Sequence, residues 1–565
     1  MILLTGVALA AFVTSTPRWD PTVPLPRKVA LPMDHYYSLE EIHSSLEKLA
    51  RAYPDLVHLE TIGQSRGGHD LVVATVSGQG EPAHKPAMYI DGNMHGNEIQ
   101  GGEACLHVLD RLTIGYGVDP FITDLLDHCA FYIHPVVNPD SRVRFFEEAS
   151  TPHSPRWNGR PWDNDGDGQE DEDGPEDLDG DGRLVMMRIA DSDGGWVESE
   201  KDARVLRRRH PDEPGRWRMV YSEGIDNDGD GDINEDPEGG IDLNRNFPTA
   251  WKPPHVQFGA GPYALSEPEA LAIAQFLSAH SNVAAVQSFH NAGNMILRPP
   301  AYRDDGEVPS ADQAVYDQLA ARGKSFLPDY SYLQTFEGLY AVHGGLLDWC
   351  YEGLGVFTFT NELWRTPSDE EGWVGSADVL AWLDVTTRAR EWVDWHPFEH
   401  PQLGPVEIGG LDQWAQRVPP PELLFDLVSR NALFCLDHAD QMPRLSIDDP
   451  RVKREPGDVS RIRVRVRNSR MIPTNSGMAA LRGIAIPDTV FLELPRGHQL
   501  IGAGAVSGLP PRAQVDVRQQ PFVVFDAVPG LGAVEAEFLV LGPGGRGALR
   551  VGSRRGGRPT KVFLF

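Results

Sequence analysis

The chain has 565 residues, 41% of them hydrophobic and 24% charged. That balance belongs to a folded globular protein and, at this length, to two or three domains rather than one core. With 51 Lys and Arg against 82 Asp and Glu, the formal net charge is −31, which argues against nucleic acid or an anionic membrane surface as the main partner. The four cysteines, Cys105, Cys129, Cys350 and Cys435, show no CxxC or Cys/His spacing, so neither a disulfide framework nor a cysteine-based zinc site is expected. Which pair would bridge, if any, stays open.

Residues 2–13 form a short apolar run before Thr14-Ser15-Thr16-Pro17. The run resembles the core of a secretory signal without its leading positive charge, a buried strand being the alternative. Residues 1–33 are therefore expected to be a signal segment and a proline-rich basic linker, and the protein to be secreted or periplasmic. No other stretch approaches the ~18 apolar residues of a spanning helix, so no transmembrane segment is expected.

Helical periodicity begins at Leu39, runs through Ile42, Leu46 and Leu49, and stops before Pro54. From there to about residue 390 apolar strands alternate with amphipathic helices. Strands are predicted at 71–76, 87–90, 130–133, 283–289 and 356–360, and helices at 101–112, 267–279 and 377–392. This alternation predicts an α/β domain over 34–400, a mixed sheet flanked by helices. Between about 150 and 238 the periodicity gives way to Asp/Gly-rich sequence, an insertion that needs its own stabiliser. A linker is expected at 401–443, with Pro419-Pro420-Pro421 and a helical run near 422–438. Short alternating strands at 462–466, 490–494, 515–517, 522–525 and 536–541, split by Gly/Pro turns, predict an all-β sandwich over 444–565.

The strand predicted at 87–90 leads into Asp91-Gly92-Asn93-Met94-His95-Gly96-Asn97-Glu98, and the strand at 283–289 ends in His290. A His and a Glu three apart at a strand-to-helix turn can face one metal ion, and two His with one Glu and an open position is a catalytic zinc shell. An isolated HxxE is weak, a surface turn being the ordinary alternative. Its surroundings decide the matter. "YPDLV" at 53–57, "IGQSRGGHDL" at 62–71, Asn138-Pro139-Asp140, Asp242-Leu243-Asn244-Arg245-Asn246, "SFHN" around His290, the segment from Tyr340 through Gly344-Gly345 to Trp349, and "FTFTNEL" around Glu362 follow in order. Together they resemble the zinc carboxypeptidases of the carboxypeptidase A and B family, the M14 metallopeptidases.

That resemblance implies a zinc cofactor held by His95, Glu98 and His290, with Glu362 as general base and then general acid. It implies peptide or protein C-termini as the partners, the free α-carboxylate taken by Asn244 and Arg245 and the bound terminal residue covered by Tyr340. Leu347 would line the floor of the specificity pocket, with Val342 as a second apolar wall, which favours large apolar or aromatic terminal residues. The family also places an arginine after the NPD motif to stabilise the oxyanion. The insertion blurs its register, and Arg160 is the choice over Arg156 and Arg188. Asn97 stands where the family often has an arginine that helps hold the substrate carboxylate, so that contact is missing or supplied from elsewhere.

The insertion has an internal logic of its own. Asp163-Asn164-Asp165-Gly166-Asp167-Gly168 leads to Asp171 and Asp173; Asp177-Leu178-Asp179-Gly180-Asp181-Gly182 and Asp226-Asn227-Asp228-Gly229-Asp230-Gly231 repeat it. Alternate carboxylates around tight glycine turns wrap a hard cation with oxygen. No EF-hand fits, because the twelfth position of the first loop is Gly174. The runs look more like the calcium repeats of thrombospondin or dockerin type, so structural Ca2+ is expected at Asp163, Asp165, Asp167, Asp171, Asp226, Asp228 and Asp230, a solvated acidic loop being the alternative. Two rival functions stand beside the peptidase: a zinc amidase or deacylase acting on cell-wall peptides or acylated amino acids, and a polymer- or surface-binding module, plausible above all for 444–565.

Overall fold

A computed structural model of the chain describes residues 27–163, 166–220, 222–366, 377–415, 417–507 and 522–565. The apolar run at 2–13, Asp165 and the strand expected at 515–517 lie outside the described residues. The helix Leu39–Ala52 starts on a capping box, Ser38 accepting from Glu41 N while the Glu41 carboxylate accepts from Ser38 N. Its Ile42, Leu46 and Leu49 enter the main core.

Strands β1 (Val57–Gln64), β2 (Asp70–Ser77), β3 (Ala87–Gly92) and β4 (Ala130–His134) open the α/β part of the chain. In the Asp-rich region lie β5 (Met186–Ala190), β6 (Trp196–Glu198), β7 (Leu206–Arg208) and β8 (Trp217–Val220). They are followed by β9 (Val283–His290), β10 (Met295–Arg298), β11 (Ser331–Gln334), β12 (Phe357–Glu362), β13 (Trp392–His400) and β14 (Gly404–Leu411). The central sheet has eight strands in the order β1-β2-β4-β3-β9-β12-β10-β11. Its middle strands β4, β3, β9 and β12 are parallel, while β1 with β2, β2 with β4 and β10 with β12 are antiparallel. The sheet is therefore mixed, as expected. Strands β3, β4 and β9 are buried at every position, which is why residues 87–90, 130–133 and 283–286 within them read as continuous apolar runs instead of alternating ones.

Three expectations need correction. The segment 401–443 is no linker: it contains β14 and the helix Pro421–Asp440, which packs along the helix Gln100–Gly115 and buries Leu424, Val428, Phe434 and Cys435 in the main core. The helix expected over 377–392 spans Ala377–Thr386, because the chain turns at Arg388 and Ala389, both with positive φ, before β13. The insertion is not without regular structure either. Strands β5 to β8 join β13 and β14 in one antiparallel sheet of six strands, ordered β13-β14-β5-β8-β6-β7. Two distant stretches thus build one body, with Arg188 clamped between the rings of Trp217 and Trp395 at 4.0 and 4.3 Å and paired with Glu407.

The described residues of 444–565 form a five-stranded and a four-stranded antiparallel sheet. Ile462, Val464 and Phe538 of one and Val490, Leu549 and Val551 of the other meet in a single core, a sandwich. All four cysteines are buried and free. Among the described residues no helix is long and apolar enough to cross a membrane.

Candidate active site

The carboxyl ends of β3, β9 and β12 lie side by side, where open α/β sheets carry their ligands. Past β3 the chain turns sharply at Asn93 (φ 55°), whose amide donates to His95 O at 2.8 Å and whose side-chain oxygen accepts from the buried Arg142. Gly92 has to be glycine, since a Cβ there would stand 2.4 Å from the backbone of Gly101. This turn brings His95 and Glu98 over the end of β9. His95 Nδ1 lies 3.0 Å from Glu98 Oε1, His290 Nδ1 3.0 Å from Glu98 Oε2, and the two Nδ1 atoms are 3.2 Å apart. All three side chains are buried. Two imidazole nitrogens and a carboxylate converging on one point are a donor set that fits zinc. Asp242 Oδ1 holds the other nitrogen of His95 at 3.0 Å, the outer carboxylate that fixes a ligating ring. Burial works against their charge, yet His95 and His290 hold the Glu98 carboxyl well below its ordinary range, and His95, Arg245 and Arg156 do the same for Asp242.

Glu362, the last residue of β12, is in register with His290. Burial first, then the neighbouring Glu98 charge, push its carboxyl up to about 7. It lines a cleft of about 650 Å³ together with His95, Glu98, His290, Asn244, Arg245 and Tyr340. Arg245 is buried and keeps its Nη1 3.0 Å from Asn244 O, while Asn244 Oδ1 accepts from Leu346 N. Tyr340 is 57% exposed and stands at the rim. Leu347 packs with Val342 and Ala301 in a small apolar cluster facing the cleft.

Arg160 is not at this site. Its guanidinium donates to the buried carboxylate of Glu267 at 2.9 Å, which also takes Arg66, and this ion pair draws it away from the cleft. Arg156 stands there instead, 3.1 Å from Glu98 Oε1 and 3.4 Å from Asp242 Oδ2. Arg188, the other competitor, belongs to the inserted sheet. Reading the sequence also missed Asp242 and Arg417. Asp242 was visible as the first residue of the Asp242–Asn246 motif. Arg417, whose Nη1 is 3.6 Å from Glu98 Oε1, carries no local signal. Asn97 donates its amide to Pro152 O at 3.3 Å.

In the insertion, Asp163, Asp177 and Asp226 each accept from backbone N–H groups three and five residues on: Gly166 and Gly168, Gly180 and Gly182, Gly229 and Gly231. The three leading aspartates thus share one hydrogen-bond pattern. Carboxylate oxygens of Asp167, Glu172 and Asp228 lie within 4.8 Å of one another, as do those of Asp173, Asp226 and Asp228 and of Asp228, Asp230 and Glu235. Asp171 instead accepts from Trp162 N and Gly239 N.

A mixed sheet that gathers two histidines and two glutamates at its carboxyl edge defines a hydrolase-like metal cleft. A family model described as zinc carboxypeptidase matches residues 42–175 and 184–378, more than half of the chain, and the chain belongs to that family. Rat (Rattus norvegicus) carboxypeptidase A2 is 23% identical over 361 residues, covering 61% of this chain and 69% of the relative. Bovine (Bos taurus) carboxypeptidase B2 is 27% identical over 354 residues, covering 60% and 65%. Among solved structures, thrombin activatable fibrinolysis inhibitor aligns at 21% identity over 72% of this chain and 74% of that one, with a TM-score of 0.44. A second model, described only as a domain of unknown function, matches residues 444–563.

Proposed function

We propose that the chain is a zinc metallocarboxypeptidase that hydrolyses the last peptide bond of peptides bearing a free C-terminal carboxylate, with a preference for large apolar or aromatic terminal residues. The observation that carries this reading is the convergence of His95, Glu98 and His290 beside Glu362 and Arg245 in one cleft. Zinc, when bound, supplies Lewis-acid polarisation of the scissile carbonyl and an acidified water. Glu362 takes the proton of the attacking water and returns it to the leaving amine. Arg245 forms a paired hydrogen bond with the terminal carboxylate, which its planar guanidinium matches. Arg156 faces the oxygen on which negative charge develops. Tyr340, at the rim, closes over the terminal residue. The test compares peptides with free and amidated C-termini, with acylated amino acids as a third arm. Rapid cleavage of the free acids only, lost with a chelator and restored by zinc, is expected, and His290→Ala is expected to lose stoichiometric zinc. Equal rates on amides and acids, or turnover of acylated amino acids alone, would replace this reading with that of an amidase or deacylase.

The three acidic loops, whose leading aspartates accept the same pair of backbone bonds, support structural calcium in the insertion, and calcium in turn suits an exported protein. Burial foremost, with neighbouring carboxylates adding to it, pushes the carboxyls of Glu172, Glu223 and Glu235 up to about 7. Because their folded values lie above the unfolded ones, they favour folding below about pH 4.5, and that contribution is lost as pH rises through about 7. Bound calcium offsets the loss by pairing the ionised forms. Calcium is therefore expected to raise the melting temperature more at pH 7.5 than at pH 5, and a calcium-selective chelator to open residues 163–236 to proteolysis. An identical melting temperature with and without calcium at both pH values would return the loops to solvated acid.

A further inference from the structure

Arg417 lies between β14 and the helix Pro421–Asp440, beyond the residues matched by the family model. It is fastened on both sides of the cleft's metal-binding edge. Its backbone oxygen accepts from Gln100 Nε2 at 3.0 Å and from Asn291 Nδ2 at 2.8 Å, and its Nη1 donates to Asn291 O at 3.1 Å. Gln100 opens the helix that follows Glu98, and Asn291 follows His290. The guanidinium is thereby held on the cleft wall formed by Glu98 and Asn291, whereas Arg245 stands with Asn244 on the wall that carries Leu347.

Two guanidinium groups share one carboxylate oxygen here: Glu98 Oε1 is 3.1 Å from Arg156 and 3.6 Å from Arg417. Arg156 has a second anion in Asp242 at 3.4 Å. The guanidinium of Arg417 otherwise donates to a neutral carbonyl, that of Asn291. Once Glu98 is committed to a metal, Arg417 is the less compensated of the two charges, and its side chain is only 25% exposed. A guanidinium held largely out of water is stabilised by an electron-rich oxygen that arrives with the ligand. The cleft has room for such a ligand away from Leu347: past His153, Arg156, Trp157 and Phe258, which line both spaces, it continues into a second cavity of about 760 Å³.

Resting on the carboxypeptidase reading, we propose that Arg417 is a substrate-binding residue for the acyl side, its guanidinium donating to the carbonyl oxygen of the peptide unit just N-terminal to the scissile bond. N-acylated dipeptides and longer chains possess that carbonyl; free dipeptides do not. A residue beyond the stretch matched by the family model thus sets a preference for longer substrates.

The experiment measures kcat and KM for an N-acyl dipeptide and the matching free dipeptide in the zinc-loaded wild type, Arg417→Gln and Arg417→Lys. Kd for the N-acyl dipeptide on a Glu362→Gln background and zinc content are measured alongside. Arg417→Gln is expected to raise KM and Kd for the acylated substrate about tenfold to a hundredfold, the range for a hydrogen bond to a charged group. Its kcat, its zinc content and its action on the free dipeptide should change little, and Arg417→Lys should recover part of the loss. Equal losses on both substrates, a fall in kcat alone, or loss of zinc would make Arg417 a structural tie and overturn the proposal. If Arg417→Gln does not fold, an unchanged Kd in Arg417→Met, which keeps an apolar stem and loses the donor, overturns it equally. Failure of wild type to cleave either substrate overturns the carboxypeptidase reading instead.

Discussion

Glu362→Gln is expected to fold, to keep its zinc and to lose kcat by about 10²–10⁴-fold, the usual contribution of a positioned general acid–base group. Glutamine has the shape of glutamate and can keep its place at the end of β12, opposite His290. It cannot accept a proton, so the attacking water keeps its own and the leaving amine receives none. Because the interaction is made in the transition state, kcat and kcat/KM should fall together while KM stays nearly constant. Burial and the Glu98 charge, which push the carboxyl up to about 7, bring it close to the value at which a base works best in neutral solution. Metal analysis and circular dichroism alongside the kinetics separate lost chemistry from lost structure. A variant that retains a tenth or more of wild-type kcat would move the base to another residue.

The second large effect concerns which terminal residue is taken. Leu347 is 6% exposed, packed with Val342 and Ala301, and shares the cleft wall with Met295 and Leu297. Burying a Phe or Leu side chain there gains about 1.5–3 kcal/mol, whereas an unpaired lysine ammonium would lose several kcal/mol of hydration. The acidic neighbour Asp348 offers no ready rescue. It is fully buried, both its oxygens accept from Ala301 N, and burial pushes its carboxyl up to about 8, which leaves it largely neutral at pH 7. Leu347→Asp is therefore expected to lower kcat/KM for terminal Phe and raise it for terminal Lys or Arg, changing their ratio by roughly 10³-fold. Competition between two peptides that differ only in the last residue measures it. A wild type that already prefers Lys or Arg would show that another carboxylate reaches the pocket.

Much of this site was legible in the chain because its parts sit at the ends of strands whose own sequences announce them. Strands β3 and β9 open with continuous apolar residues and β12 alternates Phe with Thr, and each leads into the polar groups that matter: His95 with Glu98, His290, and Glu362. Burial of both sheet faces forces the apolar run, and the end of the strand is the first place where a polar side chain can face a cleft. The apolar character of Leu347 and Val342 could be read the same way, from identity and spacing alone.

Only the tertiary structure decided which charges meet. Arg156, Arg160 and Arg188 are equivalent as letters, yet Glu267 captures Arg160, the Trp217 and Trp395 rings clamp Arg188, and Arg156 alone reaches Glu98 and Asp242. Arg417 enters the cleft from a segment that reads as a linker, because the helix after it docks on a core assembled far upstream. The six-stranded sheet was hidden for the same reason: its first four strands have three to five residues each, and they join β13 and β14 through the pairing of β5 with β14 across a long stretch of chain. Apolar periodicity is a local property and survives in a sequence. The partner of a charge or of a short strand is set by how distant segments close in space, so it appears only once the chain has folded.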